Sequence, residues 1–363
     1  MDNKTPHDVV EQVAKLVPAM RRNAPALDEA AIFPTDDLVA LGKAGALSVP
    51  LSTDASDPTD LLVSLLTSIG SGNLSVGRVF EAHVNALHLL GRYGTSAQRL
   101  AAGQAAARGE LHAVWVTDPA EGALNLIPIR DRWRLAGSKM FCSGAGHVAH
   151  AVVTVAAEGG ERQMLVVPMG QGERAEQLPG QLQGMRSAVT GMVDFTGVEV
   201  GCDALLGHPG DYMREPDFSC GAWRASAVAL GGLYALLDVL IADLRARDRI
   251  DEPNQLARLG QAMIARETSR LWVLNAAHIA EDKRADPHEA VAYVGLARLA
   301  VESACLDVIR IVQRSLGLSA FRHGHPAERI CRDLGTYLRQ PAPDEVLSEA
   351  ASWFARRASR EAP

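Results

Sequence analysis

The sequence predicts an α+β protein with a helical N-terminal domain (residues 1–109), a central β domain (110–216) and a C-terminal four-helix bundle (217–363). Three observations carry this. Apolar residues recur at helical spacing from His7 to about Ala107. Near Leu111 the period changes from about 3.6 to 2, with His112, Val114 and Val116 alternating with Ala113, Trp115 and Thr117. From Phe218 the helical period returns and holds to the C-terminus.

Each element follows from local signals. Val9, Val10, Val13, Leu16 and Val17 mark the first helix. Pro34-Thr35-Asp36-Asp37 opens a helix at Leu38, with Thr35 as its N-cap, and Gly42–Gly45 ends it. Asp57-Pro58-Thr59-Asp60 opens another, containing Leu61, Leu62, Leu65 and Leu66. An apolar helix covers about Val76 to Leu90, Gly91-Arg92-Tyr93-Gly94 breaks it, and Ser96 starts the next. Strand-like runs lie at Asn125–Ile129, Arg132–Ala136, Ala151–Ala156, Met164–Val167 and Met192–Val200. Turn residues such as Gly159-Gly160, Gly170 and Pro179-Gly180 separate them. The long apolar stretches from Ala222 to about Leu244, Leu256 to about Ala280 and His288 to about Leu316 are too long for the surface of a small domain, so a bundle buries them. Helices at about Pro326–Leu338 and Asp344–Arg357 finish the chain.

Composition narrows the function classes. Hydrophobic residues are 47% and charged residues 22% of the chain, which is ordinary for a soluble globular protein. The net charge is −7 with no basic block, so neither nucleic acid nor an anionic membrane surface is an expected partner. The five cysteines have no CxxC spacing, which disfavours a structural zinc site or a disulfide framework. No run approaches the length of a membrane span, and the polar N-terminus has no apolar segment behind it. A cytoplasmic location is expected.

The stretch from Trp133 to Gly146 combines strand, aromatic and small residues. Ser143-Gly144-Ala145-Gly146 leaves the backbone bare, Phe141 offers an aromatic face, and Ser143 offers a hydroxyl. It reads either as a wall for a planar cofactor or substrate, or as a hairpin ending in a Gly-rich turn. His323 and His325 flank Gly324 with no evident third ligand, so a surface loop is expected there and no metal.

Several blocks occur in the order and at the spacing of a known family. They are Val116-Thr117-Asp118-Pro119-Ala120-Glu121-Gly122, then Trp133-x-Leu135-x-Gly137-x-Lys139 with Phe141 and Ser143, then Gly184-Met185-Arg186-Ser187 with Thr190. Val198-Glu199-Val200, Leu205-Leu206-Gly207, Pro326-Ala327-Glu328-Arg329 and Arg332-Asp333 follow. In these blocks the chain resembles the acyl-CoA dehydrogenase family. The resemblance implies a β-barrel-like central domain and an FAD site between it and the bundle. Val116 and Thr117 would lie along the isoalloxazine, Phe141 would stack near it, and Ser143 would bond near its reactive atoms. Arg224 aligns approximately with an arginine that contacts CoA or substrate. Such a protein oxidises an acyl thioester at Cα–Cβ, and it assembles as a homodimer or homotetramer.

The sequence departs from that pattern. The position of the family's catalytic Glu falls on Pro341, and the alternative position, just before Arg224, holds Gly221, Ala222 and Trp223. Asp344 and Glu345 lie a few residues downstream as displaced acids, although Asp344 also reads as the cap of the last helix. Ala123 replaces a ligand-touching Ser, and Arg245–Asp251 lacks the Phe-Gly of the pyrophosphate motif. In the adenosine motif only Gly317 survives, with Arg314 placed to meet phosphate. Three functions follow: an acyl thioester dehydrogenase, a flavin-dependent monooxygenase on the same fold acting on another organic substrate, or a base-less subunit paired with an active paralogue.

Overall fold

The computed structural model describes residues 6–51, 58–178 and 181–361. The Asp57 and Pro179-Gly180 signals therefore lie outside the described residues. Helices come first: α1 (Pro6–Ala30), α2 (Thr35–Ala44), α3 (Pro58–Gly72), α4 (Leu74–Tyr93) and α5 (Ser96–Ala107). Thr35 is the first residue of α2 rather than its cap, because Pro34 occupies the cap position and makes no side-chain bond there. Gly45 closes the helix in the left-handed conformation. Asn73 caps α4 by accepting from Ser75 N, and Thr95 and Gln98 form a reciprocal capping box on α5.

The strands are β1 (His112–Trp115), β2 (Asn125–Ile129), β3 (Arg132–Ala136), β4 (Ser138–Cys142), β5 (His150–Ala156), β6 (Arg162–Pro168), β7 (Arg174–Gln177), β8 (Gly191–Asp194), β9 (Glu199–Val200) and β10 (Leu205–Leu206). They form three open sheets, β1-β5-β6-β10, β2-β3-β9 and β4-β8-β7, where a barrel-like arrangement was expected. The cause is visible at Gly137. It turns between β3 and β4 at φ 108°, and the chain there passes from one sheet to another instead of continuing the first. A Cβ on Gly137 would stand 2.4 Å from the Ala123 carbonyl oxygen, so the turn requires glycine. The expected single run Met192–Val200 is likewise broken between β8 and β9, where Gly197 adopts φ 99°.

The C-terminal part contains α6 (Asp217–Cys220), α7 (Ala222–Ala246), α8 (Pro253–Glu281), α9 (Pro287–Leu316), α10 (Pro326–Tyr337) and α11 (Pro343–Glu361). α7, α8 and α9 pack on one another, α11 lies on α9, and α10 lies on α7. Contrary to the sequence reading, Asp217–Ala246 is long and apolar enough to cross a membrane, but its most apolar window is 67% buried within the fold, as in a core helix. α3 crosses α7 at backbone contact. A Cβ on Gly231 would sit 2.1 Å from the Thr67 carbonyl oxygen, and one on Gly70 2.4 Å from that of Val228. Gly231→Ala is therefore expected to destabilise the protein by about 3 kcal/mol, read as a lower urea midpoint at unchanged slope. An unmoved midpoint would mean the helices can separate at little cost.

Candidate functional site

The β domain, α4, α7 and the α9–α11 region enclose a cavity of about 1550 Å³. Val116, Thr117, Met140, Phe141 and Ser143 line one side. A buried salt bridge fixes this wall. Lys139 points away from the cavity, is 0% exposed, and meets Asp118 at 2.5 Å and the Val116 carbonyl at 3.3 Å. Arg162 holds the other Asp118 oxygen at 2.5 Å. Burial alone would raise the Asp118 carboxyl, but the bonds from Lys139 and Arg162 override it and hold it below the ordinary range. The Met140 N–H donates to the Thr117 carbonyl at 2.9 Å, so the two cavity-lining segments are stitched together.

β4 carries an irregularity in its pairing with β8 between Lys139 and Cys142. There Phe141 adopts φ 55° and turns outward, 48% exposed. A bulky residue holds a left-handed backbone only when its surroundings impose it, and such strain clusters at ligand sites. Ser143 is buried. Its hydroxyl accepts from Arg78 Nε at 3.3 Å and lies 3.2 Å from the Thr190 hydroxyl. With Arg78 taking a lone pair, this hydroxyl pair can direct one proton outward.

A second wall, joined to the first by the Arg78–Ser143 bond, is a face of α4. Arg78, Glu81, Asn85 and His88 are spaced three, four and three residues apart, which aligns them along one side of the helix. Glu81 accepts from both Arg78 and Asn85. Arg224, on α7, donates to Asn85 at 3.2 Å, His88 Nδ1 at 3.1 Å and Glu281 at 3.1 Å. The sequence analysis missed this row because α4 reads as apolar overall. Four polar residues at helical spacing inside such a helix were the available signal.

No protein-family model matches the chain. It is 24% identical over 315 residues to 3-sulfinopropanoyl-CoA desulfinase of Paraburkholderia xenovorans (strain LB400), covering 80% of this chain and 78% of that protein. It is 25% identical over 336 residues to the mitochondrial short-chain specific acyl-CoA dehydrogenase of Rattus norvegicus, covering 85% and 79%. Among solved structures, butyryl-CoA dehydrogenase from Megasphaera elsdenii superposes with a TM-score of 0.86 at 16% identity, over 98% of this chain and 100% of that one. FMN-bound TdsC from Paenibacillus sp. A11-2 gives 0.86 at 18%, over 96% and 97%. The chain has the acyl-CoA dehydrogenase fold.

Within the acyl-CoA dehydrogenase fold, the family blocks read from the sequence meet in space. The Met185 N–H donates to Asp333 at 2.7 Å, and the Gly184 N–H donates to Thr336 at 3.0 Å. Arg332 binds Asp28 at 2.6 Å, joining α1 to α10. Val116, Thr117, Phe141, Ser143, Arg224 and Pro341 all line the one cavity. Pro341 offers no acid, and its carbonyl accepts from Arg298 at 3.0 Å. Asp344 and Glu345 do not line the cavity and are exposed, and Asp344 sits inside the first turn of α11 rather than capping it. The carboxylates that do line it are Glu81, Asp217, Glu328 and Glu349. Arginines hold the first three. Arg314 lines a separate pocket of about 230 Å³ with Arg258 and Arg310, and Gly317 lies outside the main cavity. His323 pairs with Glu29, and His325 caps α10.

Proposed function

We propose that the cavity binds a flavin and that the chain is a flavin-dependent oxidoreductase acting on a small organic substrate. The wall of Val116, Thr117, Phe141 and Ser143 carries this reading. It combines an outward aromatic in a strained backbone, an orientable hydroxyl pair and a volume large enough for a tricyclic ring with a substrate beside it. A bound flavin supplies two-electron redox chemistry and, once reduced, reactivity toward oxygen. Phe141 would cover the ring and exclude water, while the Ser143–Thr190 pair, backed by Arg78, would donate to a ring acceptor.

Pro341 favours oxygen-dependent oxidation of the substrate over thioester dehydrogenation. Removing an α-proton needs a base held near the substrate in a dry pocket, but the carboxylates held by Arg78, Arg92 and Arg332 are already engaged, and Glu349, the fourth on the lining, is exposed. The likeness to TdsC, a dibenzothiophene monooxygenase, supports this order. Oxidation of an acyl thioester at Cα–Cβ is the second reading, supported by the likeness to the rat dehydrogenase. For the cofactor, FMN is favoured over FAD because Arg314 and Gly317, the residues assigned to the adenosine end, lie outside the cavity. Along α8, exposed Leu256, Ile264 and Leu271 support self-association, which light scattering reads.

The purified protein is expected to be yellow or to become so with FMN. Failure to take up either flavin rejects the proposal, and release of FAD on heating rejects the FMN assignment. With a reductase and reduced nicotinamide, substrate-dependent oxygen uptake is expected. Anaerobic bleaching by butyryl-CoA or a longer acyl-CoA would instead establish the second reading. Ser143→Ala is expected to weaken flavin binding about tenfold, the worth of one hydrogen bond, as read by fluorescence quenching.

A further inference from the structure

The neighbours of His88 locate its proton. Its Nδ1 stands 3.1 Å from Arg224 Nη2. A guanidinium only donates and does not deprotonate, so Nδ1 must turn its lone pair toward Arg224. The proton of the neutral ring then sits on Nε2. Arg224 cannot easily swing away, because it is 4% exposed and also bonds Asn85 and Glu281. The charged groups around the ring are Arg92 on its own helix, Arg224 on α7, Glu281 at the end of α8 and Asp217 on α6. Both carboxylates are occupied, Asp217 by Arg92 and Tyr93, and Glu281 by Arg224 and Trp223. Arg224 first, and burial second, pull the His88 pKa down to about 4. Among the described residues no protein group bonds Nε2, and the ring lines the cavity.

We propose that Arg224 locks His88 as a neutral Nε2–H donor, and that the substrate carries an oxygen or nitrogen acceptor, most simply a carbonyl, which this N–H binds. The second half rests on the cavity being the substrate site. Arg224 is then a positioning residue acting through His88. A ring held in this way donates and does not accept, so His88 is not the base missing at Pro341.

The lock is tested by nitrogen NMR on histidine-labelled holoprotein, with the His88 signals assigned by their loss in His88→Phe. The expected result is an Nε2–H tautomer unchanged between about pH 7 and pH 5, with titration moving upward in Arg224→Leu. An Nδ1–H tautomer, or protonation within that range in the unmodified protein, overturns the lock. This arm reads out whether or not flavin binds, and absorbance of the same sample reports on the flavin reading separately. The acceptor is tested with two matched pairs, acetophenone against α-methylstyrene and benzaldehyde against styrene. The carbonyl member is expected to bind about tenfold more tightly, with the preference lost in His88→Phe. Equal affinities, a preference that survives the substitution, or no binding by either carbonyl compound overturns this half.

Discussion

Asp118→Ala is expected to cost about 3–5 kcal/mol of stability, the range for leaving a buried charge unpaired. Lys139 has no exposed surface, and Asp118 is the carboxylate that meets it. With Asp118 gone, the ammonium keeps only neutral acceptors, the Val116 carbonyl and the Thr154 hydroxyl, both at 3.3 Å. Burial already pulls the Lys139 pKa down, so the truncated protein would deprotonate it or rearrange the wall. Replacing both partners, in Asp118→Ala with Lys139→Met, removes the orphaned charge and is expected to recover much of the loss. Urea unfolding of the two variants provides the comparison. A single substitution costing under about 1 kcal/mol, or a double substitution no better than the single, would show that the bridge is not what fixes the wall. Because the pair anchors the Val116–Asp118 segment, flavin affinity should fall with stability in Asp118→Ala.

Mild acid is expected to lower the protein's stability before most carboxylates titrate. His83 and His112 are buried side by side between α4 and β1, and the His112 N–H donates to His83 Nδ1 at 3.1 Å. Burial holds His83 at a pKa of about 4 and His112 at about 3, and for His112 the neighbouring imidazoles add to the effect. The sign follows. Unfolded histidines take up protons below about pH 6.5, whereas the folded protein does not until near pH 4. The unfolded state therefore binds more protons across that window, and stability falls as pH drops through it. The loss is on the order of several kcal/mol for the two sites together. His112→Phe should flatten stability against pH between those limits. An unchanged slope would put the acid sensitivity elsewhere.

What the sequence made legible was whatever local pattern determines. The helical and strand periods gave the order of elements, and the block from Trp133 to Gly146 gave one wall of the cavity. Lys139 was read as a motif position, but its work is inward, under the wall, which spacing cannot reveal. Phe141 could have been core. Only the pairing irregularity of β4, a tertiary property, turns it outward. Arg224 was expected to touch ligand and does line the cavity, but its bonds to Asn85 and His88 on α4 and Glu281 on α8 were not legible, since a side chain's partners depend on which helices cross. Thr35 and Asp344 were each misplaced by a residue or two, the ordinary uncertainty at helix ends.

The bridge from Arg332 to Asp28 spans 304 residues of sequence, and it bears on synthesis at the ribosome. α1 emerges well before α10 and waits for the residues between them before meeting its partner there. Loop closures of that length form late. Until they do, the Gly184–Met185 loop has no Thr336 or Asp333 to receive its N–H groups. Ligand capture by a growing chain would thus mark the completion of folding, and arrested translation products ending before α10 should remain colourless however well their strands have formed.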